Sequence, residues 1–174
     1  GLQTWLALPD HLEETDPAFS HTATTLLPEI NDGGIRARVV MGSFNGAASP
    51  VPQHMGTLYV DLALQPSATA PFDADWEERA LYLLEGEISI AGDRFGPDQL
   101  LVFRPGDAIS ITAGPSGARM MLFGGDSLPT KRHIWWNFVS SSKERIDQAK
   151  AEWRSGRFDI VPGDEEDFIP LPER

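Results

Sequence analysis

The chain of 174 residues contains no cysteine. That absence excludes a disulfide framework, a thiol nucleophile and a zinc site built on thiolates, and it fits a reducing compartment. Basic residues are also scarce, because 14 Lys and Arg stand against 26 Asp and Glu, a net charge of −12. A protein that binds nucleic acid directly needs clustered cations to neutralise phosphates. We therefore expect no direct binding to nucleic acid, whereas a basic protein partner remains an option.

Long apolar runs are missing as well. No stretch approaches the roughly 20 consecutive apolar residues that a membrane-spanning helix needs. The opening segment Gly1–Pro9 has neither the basic region nor the apolar centre of a signal peptide. Hydrophobic residues nevertheless make up 41% of the chain, which is enough for a core. The length predicts a single domain over residues 1–174, and we expect no membrane partner.

Short segments with alternating apolar and polar residues dominate the sequence. Ile35–Met41 and Leu58–Leu64 alternate in the way that half-buried strands do. Turn residues separate further predicted strands at Arg79–Leu84, Ile88–Ala91, Leu100–Phe103, Ala108–Thr112, Arg119–Phe123 and His133–Val139. Many short strands at near-regular spacing predict an antiparallel sandwich or barrel, which we place at about 35–139. Residues 1–9 are predicted to be an opening strand.

One helix is predicted, over residues 141–155. Ser141 and Glu144 have the spacing of a capping box, and Gly156 is placed to end the helix. The apolar residues Ile146, Ala149 and Trp153 fall on one face of it. The tail, residues 160–174, is acidic and interrupted by prolines, and we expect it to be solvated and loosely ordered.

Two sets of motifs resemble known families. Glu85-Gly86-Glu87, after the apolar run Tyr82–Leu84, resembles the first motif of the cupin superfamily. The chain also resembles the C-terminal domain of pirins at Gly1–Pro9, Gly124–Leu128, Ile134–Val139, Ser142–Ile146 and Trp153–Phe158. This resemblance implies an all-β fold, an antiparallel, jelly-roll-like cupin barrel with one C-terminal α-helix. It further implies the degenerate second half of a two-domain protein, with the metal-bearing N-terminal cupin domain absent from this chain.

The same resemblance identifies the positions at which cupins hold a metal. The first motif, H-x-H-x3-E, places its two histidines at Phe72 and Ala74 and its carboxylate at Glu78. The histidine of the second motif falls on Gly117 by the general cupin spacing, or on Arg119 by the longer spacing of pirins. Imidazole and carboxylate ligands suit a divalent transition metal. Since only Glu78 could be a relic ligand, we expect no metal and no catalytic residue here, and the family's iron or similar metal would reside in the absent domain.

Three functions are compatible with these observations. The chain would be a non-catalytic cupin domain that packs against a metal-bearing partner domain or forms a homodimer. Alternatively, it would contribute to a parent protein that oxidises a flavonol, because some pirins resemble quercetin 2,3-dioxygenases and others are described as transcription cofactors. A third hypothesis is a small-molecule binding module whose barrel is lined by Phe72, Trp76 and Glu78, or a cupin dioxygenase with an unrecognised site. The resemblance implies a cytoplasmic protein, or a nuclear one in a eukaryote.

The predicted partner surface combines two apolar groups. Leu2, Trp5 and Leu6 belong to the opening segment, and Ile146, Ala149 and Trp153 to the helix face. A single barrel already uses one sheet face as its core, so that a further apolar face would need another cover. Alternatively, Trp153 simply docks the helix on its own barrel.

Other candidate side chains carry less functional signal. Trp135 and Trp136 are adjacent, so that in a strand one would be core and the other would face solvent or a partner. The four histidines lack metal-ligand spacing and are expected at the surface, with His54 the nearest to an exception; they are His11, His21, His54 and His133.

Overall fold

A computed structural model describes residues 1–173 and divides the chain into two compact units. The barrel unit is Pro17–Ser127, and the terminal unit combines Gly1–Asp16 with the chain from Leu128 onward. The expected single domain over residues 1–174 stays a prediction. Between residues 1 and 173 there is no helix long and apolar enough to cross a membrane.

The barrel unit is built from antiparallel strands, as the sequence predicts. Its strands are β1 Glu29–Asp32, β2 Ile35–Met41, β3 Ser43–Phe44, β4 Ala47–Ala48, β5 Thr57–Leu64, β6 Thr69–Phe72, β7 Glu78–Ile90, β8 Asp93–Phe95, β9 Leu100–Phe103 and β10 Ile109–Gly125. The largest sheet has the order β1-β2-β5-β10-β7-β8, with β6 paired to β10 and β9 to β7, and β3 and β4 form a separate hairpin.

The core of this unit lies on the inward-facing side of the strands. Successive side chains of a strand point to opposite faces, so that alternate apolar residues reach the interior. In β5 these are Leu58, Val60, Leu62 and Leu64, all buried. Facing strands contribute the remaining buried residues of the same cluster, among them Ala37, Val39, Phe72, Leu81, Leu83, Ile88, Ile111, Met120 and Leu122.

Strands β7 and β10 are longer than the sequence predicts. The sequence predicts two separate strands on either side of Gly86 and two on either side of Gly114–Gly117, but one strand continues through each, with an irregularity in the ladder. Ile88 pairs with Ala113 and Gly86 with Ala118, which leaves Gly114–Gly117 bulged out of register. Gly86 has φ 80°, and a Cβ there would lie 2.1 Å from the Gly117 carbonyl oxygen. Glycine is thus needed for close approach of the backbones rather than for a turn.

The terminal unit contains a hairpin and the single helix of the described chain. The hairpin strands are β11 His133–Trp135 and β12 Phe138–Ser140, and the helix α1 is Lys143–Arg154. The helix is capped by Ser142, whose Oγ accepts a hydrogen bond from the Arg145 amide at 3.2 Å.

The predicted capping box and opening strand are both wrong. Ser141 lies one residue before the cap, and its Oγ donates to Glu13 at 2.8 Å instead of accepting a hydrogen bond from a helix amide. Residues 1–9 pair with no strand in the described chain, and only a short 3-10 turn at Asp10–Leu12 follows them. From residue 165 to 173 the tail has neither helix nor strand, and Arg174 lies outside the described residues.

Candidate functional site

The two positions that cupins give to histidine carry no metal-binding group. Phe72 closes β6 inside the core at 1% exposure, and its ring meets that of Phe103 edge to face at 5.9 Å. Ala74 is exposed in the loop between β6 and β7. Phe72 is therefore buried in the core as a packing residue and is not placed as a ligand.

The relic carboxylate lies outside the core. Glu78 begins β7 and is exposed, while its neighbour Arg79 is buried. Because adjacent strand residues face opposite sides, Glu78 does not line the interior, contrary to the prediction. Its Oε1 accepts a hydrogen bond from Ser127 Oγ at 2.9 Å.

Neither alternative for the fourth ligand is suitable. Gly117 has φ 76° within the β10 bulge, and a Cβ there would lie 2.7 Å from the Leu64 carbonyl oxygen. Arg119 projects outward, where its Nε and Nη2 donate to the two oxygens of Asp61 at 3.0 and 2.9 Å. These hydrogen bonds raise the pKa of Arg119, so that its guanidinium stays protonated and has no lone pair to offer a metal.

Sequence reasoning missed Arg79, a buried cation in the barrel. At 1% exposure it is the largest fully buried side chain of the unit. Its Nη1 donates to the carbonyl oxygens of Phe72 and Asp73 at 2.9 and 3.1 Å, and its Nη2 to those of Arg104 and Asp107 at 3.1 and 2.7 Å. The guanidinium carbon also lies 5.6 Å from the centroid of the Phe72 ring. The signal in the sequence is a charged residue on the inward-facing side of an otherwise apolar strand.

This arrangement does not fit a metal cation. Phe72 occupies one of the positions where an imidazole ligand would be required, and the guanidinium of Arg79 lies beside its ring. A fixed positive charge opposes a second cation in a medium of low dielectric constant. Among residues 1–173 no group of three His, Asp or Glu side chains has metal-binding geometry. His54 is exposed in the loop before β5, so that the structure gives it no special position.

A small cavity remains at one end of the barrel unit. It has a volume of about 170 Å³ and lies among the β3–β4 hairpin, the start of β5 and the loop after β6, where Trp76, Asp73 and Asp75 contribute to its wall. Trp76 is partly buried and packs against the core. Pockets for organic ligands usually measure about 300–1,000 Å³, so that this cavity is too small for a flavonol-sized molecule.

In the terminal unit, aromatic side chains form one continuous cluster. Trp135 stacks on Phe138 at 6.1 Å, and Trp136 meets Trp153 edge to face at 5.2 Å. The prediction that Trp135 and Trp136 face opposite ways is wrong, because Trp136 occupies the hairpin turn with φ 50° and is not in extended conformation. Phe158 extends the cluster, with its ring 5.2 Å from that of Trp153.

The predicted partner surface divides into a covered and an exposed part. Ile146 and Ala149 are buried at 5% and 6% exposure, and Trp153 belongs to the aromatic cluster. That helix face is therefore covered by the chain itself and is not free for a partner. Leu2, Trp5 and Leu6 are about half exposed, at 48%, 53% and 48%.

Charged groups hold the chain next to these exposed residues. Arg132 donates from Nη2 to the Leu8 carbonyl oxygen at 2.6 Å and to Asp10 at 2.7 Å, and its Nε lies 2.8 Å from Glu13 Oε1 as an ion pair. Hydrogen bonds from Thr130 and then Arg132 lower the pKa of Asp10. Glu13 also accepts from the Ser141 amide at 2.9 Å.

Comparison with known proteins identifies the family. The model of the "Pirin C-terminal cupin domain" matches residues 59–159. The chain belongs to the pirin family. A pirin-like protein of Caulobacter vibrioides is 42% identical over 99% of this chain and 60% of its own length. Human pirin is 26% identical over 90% of this chain and 56% of its own length.

The fold agrees with that assignment. The crystal structure of a quercetin 2,3-dioxygenase from Acinetobacter baumannii superposes with a TM-score of 0.84 and 27% identity, covering 98% of this chain and 58% of that one. This confirms the cupin-type barrel with a C-terminal helix. The pirin-family chain described here thus spans little more than half the length of the relatives it matches.

Proposed function

We propose that this chain is a metal-free cupin domain of a pirin-type protein, and that it supports a second, metal-bearing cupin domain. The relatives' additional length is compatible with that architecture, since about two fifths of the Caulobacter protein lies outside the match. A segment of that size is sufficient for a domain. Any oxidation of a flavonol by the whole protein would then occur in the other domain.

The observation that carries the proposal is the buried guanidinium of Arg79 beside Phe72. Its four hydrogen bonds connect the loop after β6 with the loop after β9. In a metal-bearing cupin the ligands fill the barrel interior, whereas here a protein cation and a phenyl ring occupy it. The site is therefore built for rigidity of the barrel rather than for coordination chemistry.

Metal content tests the proposal. The purified chain is exposed to Fe²⁺, Ni²⁺ and Cu²⁺ in turn, passed through a desalting column, and its metal measured by mass spectrometry. We expect well below one metal ion per chain, because a lone carboxylate is too weak a ligand set to retain a transition metal against water. Stoichiometric metal that is lost in Glu78→Gln would overturn the proposal.

A second measurement tests the supporting role. We define the joined polypeptide as this chain connected to the part of the Caulobacter relative outside the match, in that relative's order. It should retain about one metal ion per molecule, and the metal should be unaffected by Glu78→Gln. Absence of metal from the folded joined polypeptide would refute the assignment of metal to the other domain.

The binding-module alternative has little support from the geometry. The interior of the barrel unit is filled by side chains, and the cavity at its end holds only about 170 Å³. We therefore do not propose a small organic ligand for the interior of the barrel unit.

A further inference from the structure

The C-terminal tail lies on the aromatic cluster of the terminal unit. The indole Nε1 of Trp153 donates a hydrogen bond to the Ile169 carbonyl oxygen at 2.8 Å. The Phe168 ring stacks on that of Trp153, with the centroids 5.9 Å apart and the planes at 24°. Two adjacent tail residues thus contact one tryptophan, the first through its side chain and the second through its backbone. The tail is held here although it forms neither helix nor strand from residue 165 to 173.

The surface that receives the tail is built on regular structure. Trp153 belongs to α1, and neighbouring rings meet it at centroid distances of 5.2–6.2 Å. A tryptophan N–H at the edge of an apolar cluster usually takes a hydrogen-bond acceptor. The surface therefore offers an apolar ring and one directed donor. We name it the Trp153 surface, and its residues are Trp136, Phe138, Trp153 and Phe158.

The tail has the sequence of an extended peptide that contains prolines at alternate positions. It reads Phe168-Ile169-Pro170-Leu171-Pro172. Ile169 and Leu171 each precede a proline, which disfavours the helical region and favours extended backbone. Such segments lose little conformational entropy on binding, and aromatic-lined grooves of small domains recognise them for that reason. The tail and the Trp153 surface thus have the chemistry of a proline-containing peptide and its receptor.

Few contacts hold the tail in this place. Phe168 and Ile169 keep 62% and 64% of their surface exposed. The hydrogen bond from Trp153 and the ring pair are each modest contributions, because water competes with the first and the second is half open to solvent. A segment held in this way is readily displaced by a better ligand of the same kind.

Unused charges lie near this contact in the chain. Arg154 and Arg157 are exposed and form no ion pair with any residue from 1 to 173. The acidic run Asp164–Asp167 stands directly before Phe168, and its carboxylates form no ion pair in the same part of the chain. The tail therefore occupies the surface with its ring and backbone but without matching its charges to the arginines. A peptide that is not tethered to α1 is free to match both.

We propose that the Trp153 surface binds an extended peptide of another protein, with carboxylates before an aromatic residue and prolines at alternate positions after it. The peptide places its aromatic ring on Trp153 and accepts the indole N–H with a main-chain carbonyl. Its carboxylates pair with Arg154 and Arg157. The tail of this chain occupies the surface until such a partner displaces it. This role goes beyond the proposed function and requires no metal.

The attached tail weakens the apparent affinity for a partner. A segment on a short flexible linker acts at an effective concentration in the millimolar range. The apparent dissociation constant of a competing peptide rises in proportion as the fraction of free surface falls. Phe168→Ala removes the stacked ring from the tail and so increases that fraction. Because Phe168 is largely exposed and outside any helix or strand, the substitution should leave the fold intact.

Titration calorimetry with a synthetic peptide of residues 163–173 tests the inference. We expect the peptide to bind Phe168→Ala at least about tenfold more tightly than the unaltered chain, because the competing tail is released. Adding Trp153→Phe keeps an aromatic ring but removes the donor, and should weaken binding by about 3- to 10-fold. Trp135→Phe is the matched control. It changes the same cluster at a residue without a ring contact or hydrogen bond to residues 164–173, and should leave the affinity unchanged.

The charged part of the proposal has its own test. Arg154→Gln with Arg157→Gln, in the Phe168→Ala chain, should weaken peptide binding by about 2- to 10-fold at low salt. The same pair of substitutions should have no effect on a peptide whose four leading carboxylates are replaced by amides. An equal effect on both peptides would overturn the assignment of the arginines.

The remaining outcomes decide the binding surface and its occupant. Absence of binding to Phe168→Ala at millimolar peptide would overturn the inference, and so would an affinity unchanged by Trp153→Phe. Equal affinity for the unaltered chain and for Phe168→Ala would overturn the competition with the tail. A molar mass that doubles with concentration in the unaltered chain, but not in Phe168→Ala, would identify the tail of a second copy as the occupant and overturn the choice of another protein.

A peptide variant replaces the protein variant if Trp153→Phe does not fold. The peptide with alanine at the position of Phe168 is then titrated into the Phe168→Ala chain. Undiminished binding would overturn the inference, because the stacked ring would contribute nothing. Metal content enters none of these measurements, so that failure here leaves the proposed function standing.

Discussion

Replacing Arg79 by methionine tests whether the buried guanidinium stabilises the barrel unit. Methionine fills a similar volume but cannot donate a hydrogen bond. The substitution removes the four hydrogen bonds to the carbonyl oxygens of Phe72, Asp73, Arg104 and Asp107. The loop after β6 and the loop after β9 then lose the side chain that bridges them.

Two opposing contributions determine the magnitude. A buried acceptor that loses its partner costs about 1–3 kcal/mol, and four carbonyl oxygens are affected. Against this, the mutant no longer takes a charge out of water, an effective penalty of several kcal/mol per ion. Some carbonyls will also regain water at the barrel end. We therefore expect a net loss of about 3–5 kcal/mol, a large fraction of the roughly 5–15 kcal/mol typical of a domain.

Urea denaturation followed by far-ultraviolet circular dichroism measures this loss. With a slope of about 2 kcal/mol per molar urea, the midpoint should fall by about 2 M. The matched control is Arg119→Met, which removes an exposed ion pair and should cost at most about 1 kcal/mol. If Arg79→Met does not fold, Arg79→Lys keeps the charge without the planar fork and should show an intermediate loss. Equal midpoints for Arg79→Met and Arg119→Met would refute the reasoning.

Three further predictions concern other parts of the chain. Gly86→Ala should cost more than about 2 kcal/mol, since the new methyl group would collide with the Gly117 carbonyl as well as strain φ. Glu13→Gln should lower the free energy of unfolding of the terminal unit by about 1.5–3 kcal/mol. The neutral amide loses the ion pair with Arg132 and accepts a weaker hydrogen bond from the Ser141 amide. The lowered pKa of Asp10 stabilises the folded state above the ordinary value of 3.8, and this contribution should disappear as the pH falls through the lowered pKa.

Each of these has a direct measurement and control. Gly92→Ala shares the positive φ, but a Cβ there meets nothing within 4 Å, so equal urea midpoints for the two glycine variants would contradict the steric argument. Tryptophan fluorescence reports Glu13→Gln, because only Trp76 lies in the barrel unit, and Glu14→Gln is the exposed control. For Asp10, the acid-induced loss measured by fluorescence should be smaller in Asp10→Asn, and an unchanged profile would contradict the assignment.

Local patterning was sufficient to predict most strands of the barrel unit. Ile35–Met41 and the alternating residues of β5 were predicted correctly, because one buried face imposes a period of two on the sequence. The family resemblance, confirmed by the comparisons, likewise depended on local motifs. At Gly86, however, local patterning predicts a break between two strands, since a glycine needed for close backbone approach has the same sequence signal as a glycine in a turn.

The remaining features depended on contacts between residues distant in the sequence. Ser141 and Ser142 are both good caps, and only Glu13, 128 residues from Ser141, determines which of them faces the helix. The strand sequence alone does not show that Arg79 is buried. Its burial depends on four carbonyl oxygens from two separate segments, Phe72 and Asp73 in one and Arg104 and Asp107 in the other. The opening segment is the converse case. Its side chains alone specify a strand, but a strand also requires a neighbouring backbone to accept and donate its hydrogen bonds, and only tertiary structure determines whether one is present.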